Sequence, residues 1–346
     1  MAYEFFLGAN SGEGFVSLLP DFQREEDRRL YALKGGPGCG KSTCIRQLAE
    51  ALGGAEEVLL CSSDPDSLDG AVVSGAALLD ATAPHVFEPV FPGCDGDYLV
   101  LPPLLDQEGL AAQRPALYAL KAAAGQHYAQ AWRLLKAAAL LREDRRERLR
   151  AALLREPECR VRPLLREIPR AEGPGRLRRR FLEGCTPKGY LCLWETVETH
   201  FARVIALEDP CGLAEGLLQW LMQEGLERGQ TVYGCYDPLE PRRLRHLLLP
   251  DCGLAFVSGP TPFSPVRRVH LEGLLDRERL AGQRGLLRLK QRTENALLDD
   301  AVAEIAAAHG LHDRIEALYR PHLDLSALDS HCARLLERIR GDKSRP

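Results

Sequence analysis

The chain has 346 residues, 45% hydrophobic and 27% charged, with a formal net charge of −4. That length accommodates two domains of about 150 residues each. The mild acidity gives no global pull toward nucleic acid or an anionic membrane, and 6% aromatics leave no evident base-stacking surface.

The N-terminus, Met1 to Gly8, lacks the basic region and long apolar core of a signal peptide. A strand-like run, Leu30–Leu33, then leads into Gly35-Gly36-Pro37-Gly38-Cys39-Gly40-Lys41-Ser42, and a helix-like run, Ser42 to Leu52, leads out. This matches G-x-x-x-x-G-K-[ST] at every fixed position, in the strand–loop–helix setting that the motif requires. Glycines let successive backbone N–H groups turn toward phosphate oxygens. The helix after the loop adds its positive dipole end. Residues 35–43, including Thr43, are the predicted nucleotide cradle. Lys41 is the charge on the β and γ phosphates, and Ser42 is a Mg²⁺ ligand.

The apolar run Val58–Leu60 predicts a strand with Asp64 at its carboxyl end, inside Cys61-Ser62-Ser63-Asp64-Pro65-Asp66. Asp64 reads either as a catalytic carboxylate at the ligand-binding edge of a sheet or as a turn residue. Ala76–Asp80 predicts a buried parallel strand ending in Asp80, the candidate second metal ligand. His85 comes next as a loop residue or a γ-phosphate sensor. Ala81, not Glu, comes after Asp80. Water activation therefore falls to Asp64, Glu88 or a group from elsewhere, and slow or partner-dependent turnover is expected.

Near-helical spacing of apolar residues predicts a helix from Gln126 to Arg155. From Arg133 to Arg180 there are 16 Lys/Arg against 7 Asp/Glu. This stretch reads as a solvated helical face in preference to a nucleic-acid surface. Glu172–Gly175 predicts a loop near the boundary between domains spanning 1–180 and 181–346. Asp276 to Arg340 predicts further helix, with His312-Asp313 on its surface. The eleven cysteines form no C-x-x-C pair and no Cys/His set with zinc spacing. They read as reduced cytosolic thiols without structural zinc. No apolar run of about 18 residues exists to span a membrane.

The strand–loop–helix layout recurs 173 positions on, as Val204–Leu207 and then Glu208–Glu215. Aligned so, Ala214 stands for Lys41 and Glu215 for Ser42. Gly12–Leu18 is echoed by Pro187–Leu193, Asp64-Pro65 by Asp237-Pro238, and Leu78–His85 by Phe256–Phe263. Ser258 then stands for Asp80 and Phe263 for His85. Loss of the phosphate charge together with both metal groups argues against Mg-nucleotide binding in the second half.

Gly14-Phe15-Val16-Ser17, Leu33 to Thr43, Cys61 to Gly70 and Asp80 to His85 together resemble a poorly characterised family of bacterial tandem P-loop ATPases. The resemblance covers most of the chain, including Leu311-His312-Asp313. It implies two fused P-loop domains and a nucleotide, but no substrate. The second-half loop departs from the pattern, so a two-site mechanism does not carry over. The expected fold is α/β, with two tandem P-loop NTPase-like parallel-sheet domains, each followed by a helical segment. The expected function is Mg-ATP binding with slow or partner-stimulated hydrolysis at the first site. Lys41, Asp80 and Asp64 are the catalytic candidates, and Arg242, Arg243 and Arg245 the candidates for an arginine finger. A phosphotransferase with Asp64 as base and a nucleotide switch for a protein partner are the alternatives. No guanine-reading Asn/Thr-Lys-x-Asp motif is present.

Overall fold

Apolar runs too short for helices become strands buried on both faces, as in Leu30–Leu33 and Ala76–Leu79. The computed structural model describes residues 1–25, 28–209 and 212–343. The first half contains β1 (Tyr3–Phe6), a hairpin of β2 (Gly8–Ser11) and β3 (Gly14–Ser17), α1 (Leu19–Gln23), β4 (Arg29–Lys34) and α2 (Lys41–Ala51). It continues with β5 (Glu57–Cys61), β6 (Asp64–Val73), β7 (Ala76–Asp80), β8 (Gly96–Val100), α3 (Gln107–Ala112), α4 (Arg114–Ala151) and α5 (Val161–Leu165). The second half repeats the series: β9 (Arg176–Arg180), β10 (Glu183–Thr186), β11 (Gly189–Cys192), α6 (Trp194–His200), β12 (Arg203–Glu208) and α7 (Glu215–Glu227). It ends with β13 (Thr231–Tyr236), β14 (Leu244–Leu249), β15 (Leu254–Ser258), β16 (Arg267–His270), α8 (Arg277–Ala281), α9 (Arg284–Tyr319) and α10 (Leu325–Lys343).

The two six-stranded sheets have corresponding orders, β1-β5-β6-β7-β4-β8 and β9-β13-β14-β15-β12-β16. The protein is therefore α/β with a duplicated sheet. The sheets are mostly parallel, not wholly so as expected. β6 and β14 each run antiparallel to both neighbours, because β5 continues into a tight hairpin and not into a crossover helix. The second sheet already begins at Arg176.

Pairing registers correct the internal alignment. Leu33 pairs with Asp80 and Leu207 with Ser258. The first helical bonds are Cys44 N–H to Gly40 O and Leu218 N–H to Ala214 O. Thus Gly35 matches Asp209, Lys41 matches Glu215, and Ser42 matches Gly216, one position away from the sequence alignment. The Asp64–Asp237 echo shifts as well. Asp69 is an extra, bulged residue between Leu68 and Gly70, and Arg245 is bulged likewise between Leu244 and His246. Counting from these bulges, Asp237 matches Cys61 and Glu240 matches Asp64.

A pseudo-two-fold axis relates the halves. Phe6 and Phe181 exchange N–H···O bonds of 2.9 Å in both directions, as an isologous contact requires. Around them one core draws side chains from both halves, including Phe5, Phe22, Leu182 and Tyr233. α4 and α9 pack side by side through Ala131, Leu135, Ala138, Ala301 and Ile305, antiparallel, with Arg142 facing Glu294 and His127 facing Glu304.

Each of these long helices delivers its C-terminal extension to the opposite half. Leu323, after α9, bridges to Leu105, and Leu153, after α4, bridges to Leu275. Leu328, Leu335 and Ile339 of α10 then cover α2 in the first-half core. Leu164 and Ile168 cover α7 in the second. Burying two or three Leu/Ile side chains is worth roughly 3–9 kcal/mol, so each half depends on the other's tail.

Two further expectations change. Cys44 and Cys332 are joined as a disulfide between α2 and α10, with Cα atoms 6.2 Å apart, so not every thiol is reduced. The basic stretch is a solvated face only in part: Arg133, Arg150, Arg155, Arg160 and others are exposed, but several arginines turn inward. Arg142 and Arg145 pair with Glu294 and Arg146 with Glu240. Arg178 and Arg180 pair with Glu57, and Arg179 pairs with Asp21. These six arginines are thus spent on acids of the opposite half. No helix among the described residues is long and apolar enough to cross a membrane.

Candidate functional site

The glycine loop between β4 and α2 lies at the carboxyl edge of the first sheet. Gly38 (φ +68°) and Gly40 (φ +78°) take left-handed backbone that side chains resist, and Gly40 is the N-cap of α2. Lys41 Nζ folds back over the loop and donates to Gly35 O and Gly36 O, each at 2.8 Å. It also lies 3.6 Å from Asp80 Oδ2. The parallel pairing of β4 with β7 brings these groups together, since it ends with Asp80 beside the start of the loop. Asp80 Oδ1 accepts from Thr82 N–H at 2.8 Å, and the Thr82 hydroxyl donates to Gly35 O at 2.9 Å. Ser42 Oγ accepts from Leu68 N–H of β6 at 3.0 Å. Lys41, Ser42, Asp80 and the loop glycines therefore share one site. Cys39 is buried inside the loop, and burial raises its thiol pKa although Lys41 pulls it down.

Asp64 opens β6 at the same sheet edge, where its Oδ1 accepts from Asp66 N–H at 3.3 Å. Its charge is felt by Asp69. Burial pushes the Asp69 carboxyl up to about 6, and Asp80 and Asp64 add to the rise against the opposing pull of His85 and Cys61. His85 stands against Asp69, with Nε2 to Oδ2 at 3.3 Å. Glu88 is otherwise engaged, with Lys34 and Tyr98.

Sequence reasoning missed the cover over the loop. The end of α9 belongs to the second half yet packs on the first-half glycines. A Cβ on Gly36 would meet Tyr319 Cε1 at 2.9 Å, and one on Gly38 would meet Glu316 O at 3.1 Å. The helix-surface expectation holds for His312, which is 43% exposed on its side chain and faces Glu316. Bonds from His312 and Arg320 outweigh burial and hold the Glu316 carboxyl at about 2.

The matching place in the second half is filled from within, although Pro210 and Cys211 lie outside the described residues. The Asp209 carboxylate accepts from Leu213 N–H at 2.8 Å and Ala214 N–H at 2.9 Å, at the N-terminus of α7. A side chain thus occupies an anion's position at a helix N-terminus. Glu215, at the lysine position, pairs with Arg243 at 2.5 Å. Arg245 lies 2.7 Å from Glu183 and 3.5 Å from Asp237. Arg243 and Arg245 therefore serve their own half and not the first-half loop. Arg242 is 85% exposed and pairs with Glu13.

No family model, no curated protein and no solved structure matches this chain.

Proposed function

We propose that the first half binds Mg-ATP at residues 35–43 and hydrolyses it slowly or on stimulation by a partner, while the second half binds no nucleotide. The reading is supported above all by Lys41, folded over a glycine loop at a helix N-terminus and 3.6 Å from Asp80. Backbone N–H groups of the loop receive phosphate oxygens, and Lys41 neutralises their charge. Ser42 Oγ and Asp80 each accept one backbone N–H and keep further lone pairs, a donor set of hard oxygens that suits Mg²⁺. A bound Mg²⁺ would supply charge stabilisation between the β and γ phosphates. Thr82 anchors Asp80 against Gly35 O, so the acid and the loop are positioned together. Asp64, at the same edge, is the candidate for orienting water, or an acceptor hydroxyl in a phosphotransferase.

One observation favours the nucleotide switch as a second reading. Tyr319 and Glu316 of the far half rest on Gly36 and Gly38, so occupancy of the loop bears directly on the contact between halves. Calorimetry with Mg²⁺ and ATP or GTP on the wild type and Lys41→Ala tests the proposal. One ATP site per chain, lost in the variant, is expected. Phosphate release without an acceptor then separates an ATPase from a switch. Two sites per chain, or none, would refute the one-live-site reading.

A further inference from the structure

Three groups converge beside β6, the strand whose Leu68 N–H donates to Ser42 Oγ. Asp69, the bulged residue of β6, is 6% exposed and His85 is 8% exposed. Asp69 Oδ2 is enclosed and has no hydrogen-bond partner among the described residues. Cys61 Sγ, the Asp69 carboxylate and a His85 ring nitrogen all lie within 4.8 Å of one another. A buried carboxylate oxygen that meets no donor is costly. Among the described residues its charge partner is His85 alone, with no lysine or arginine.

We propose that Cys61, Asp69 and His85 form a binding site for one divalent transition-metal ion of the zinc class. Tetrahedral ligation at about 2.0–2.1 Å holds a nitrogen and an oxygen ligand about 3.3 Å apart. The His85 Nε2 to Asp69 Oδ2 separation is 3.3 Å, without the geometry of a hydrogen bond. Thiolate, imidazole and carboxylate together suit zinc-like ions, unlike the all-oxygen set of Ser42 and Asp80. Three protein ligands leave a position for water or another group, as in open zinc sites. The ligands lie 8 and 16 positions apart in sequence, so no Cys/His spacing rule finds them. The β5–β6 bulge and the loop after β7 bring them together.

The second half is an internal control. Its matching residues are Asp237, Arg245 and Phe263. There Arg245 supplies the positive charge, pairing with Asp237 and Glu183. Where the three ligands are missing, the fold carries its own cation. A second cluster, Glu183, Cys192 and His246, needs no ion because Arg245 and His246 already satisfy Glu183.

The test uses the full chain, reduced with a phosphine, stripped by chelator and titrated with Co²⁺ and then Zn²⁺. One ion per chain is expected, with a thiolate-to-cobalt charge-transfer band in the near ultraviolet. Lys41→Ala retains the band, because the nucleotide loop takes no part. Cys94→Ser and Cys159→Ser, at exposed thiols, also retain it. Cys61→Ser abolishes the band, and Asp69→Asn and His85→Ala weaken binding about tenfold or more. A wild-type titration without a thiolate band overturns the proposal even if the variants misfold, as does a band that survives in Cys61→Ser.

Discussion

Glu57→Gln should be one of the most damaging single-atom changes in this chain. Glu57 is 1% exposed in the contact between halves, and Arg180 beside it is 0% exposed. The carboxylate takes Arg178 at 2.8 Å, Arg180 at 2.8 and 3.0 Å, and the Tyr233 hydroxyl at 2.9 Å. Glu25 is a second acid of the cluster among the described residues, bound to Arg180 at 2.6 and 3.0 Å. Removing one charge leaves Arg28, Arg178 and Arg180 with one buried carboxylate fewer. Breaking a buried ion pair this way costs about 3–5 kcal/mol. An unfolding entropy of about 2.1 cal/mol/K per residue makes 1 kcal/mol worth about 1.4 °C in a chain this long. Tm should therefore fall by about 4–7 °C in calorimetry at pH 7.

The pH dependence sharpens the test. Burial raises the Glu57 pKa, but Arg180, Arg28 and Arg178 outweigh it and hold the group below its ordinary 4.5. A depressed folded pKa means that the contribution is fully present above the unfolded value and is lost as pH falls through the folded one. Glutamine does not titrate, so the wild type should lose its advantage over the variant as the solution is acidified below pH 4.5. A loss under about 1 kcal/mol at pH 7, the level of a surface pair, would refute the reasoning, as would a gap that stays constant into acid.

Asp209→Ala should cost about 1–2 kcal/mol, the value of a lost helix cap; added phosphate should restore part of it in the variant only, read as the Tm difference with and without phosphate. Leu335→Ala should cost about 2–5 kcal/mol and speed hydrogen exchange in α2, in the other half of the sequence, whereas Leu164→Ala should speed it in α7; loosening confined to the residue's own half would contradict the exchange of tails. Gly36→Ala should lose about 1–3 kcal/mol through overpacking against Tyr319, and Tyr319→Ala in the same chain should recover most of it, as denaturant midpoints would reveal.

The site was legible where its chemistry is contiguous. Gly35 to Ser42 is one motif, and Asp80 ends a run whose apolar character marks a buried strand. The bulge at Asp69 was not legible, because that part of β6 is buried on both faces and has no alternation for an extra residue to break. It hid the approach of Asp69 to Cys61 and His85, while the Asp64–Asp237 alignment slipped because α7, with 13 residues, outruns α2, with 11. The exchange of tails was equally hidden. The apolar stripe of α4 says that the helix is buried, not which sheet its end reaches, and the stripe of α10 fits α2 or α7 alike. The arginines misled for a related reason, since their partners are Glu294, Asp237 and Glu57, all far away in sequence.

On the proposed reading, that exchange gives a physical reason for a second half that binds no nucleotide to remain in the chain. α2, directly after the glycine loop, has its outer face covered by α10, and α10 hangs from α9 of the second half. Tyr319 and Glu316, which roof the loop, also belong to α9. Unfolding the second half would strip the first of its roof and of an apolar face together. The second half need only be stable, and its substitutions serve that end. Asp209 places a carboxylate where a phosphate would sit, and Glu215 with Arg243 replaces the lysine charge by a closed pair. Arg245 lies between Asp237 and Glu183, so those buried acids are balanced without an ion. On the proposed reading, each change makes permanent, within the chain, a charge that a ligand would bring to the first half.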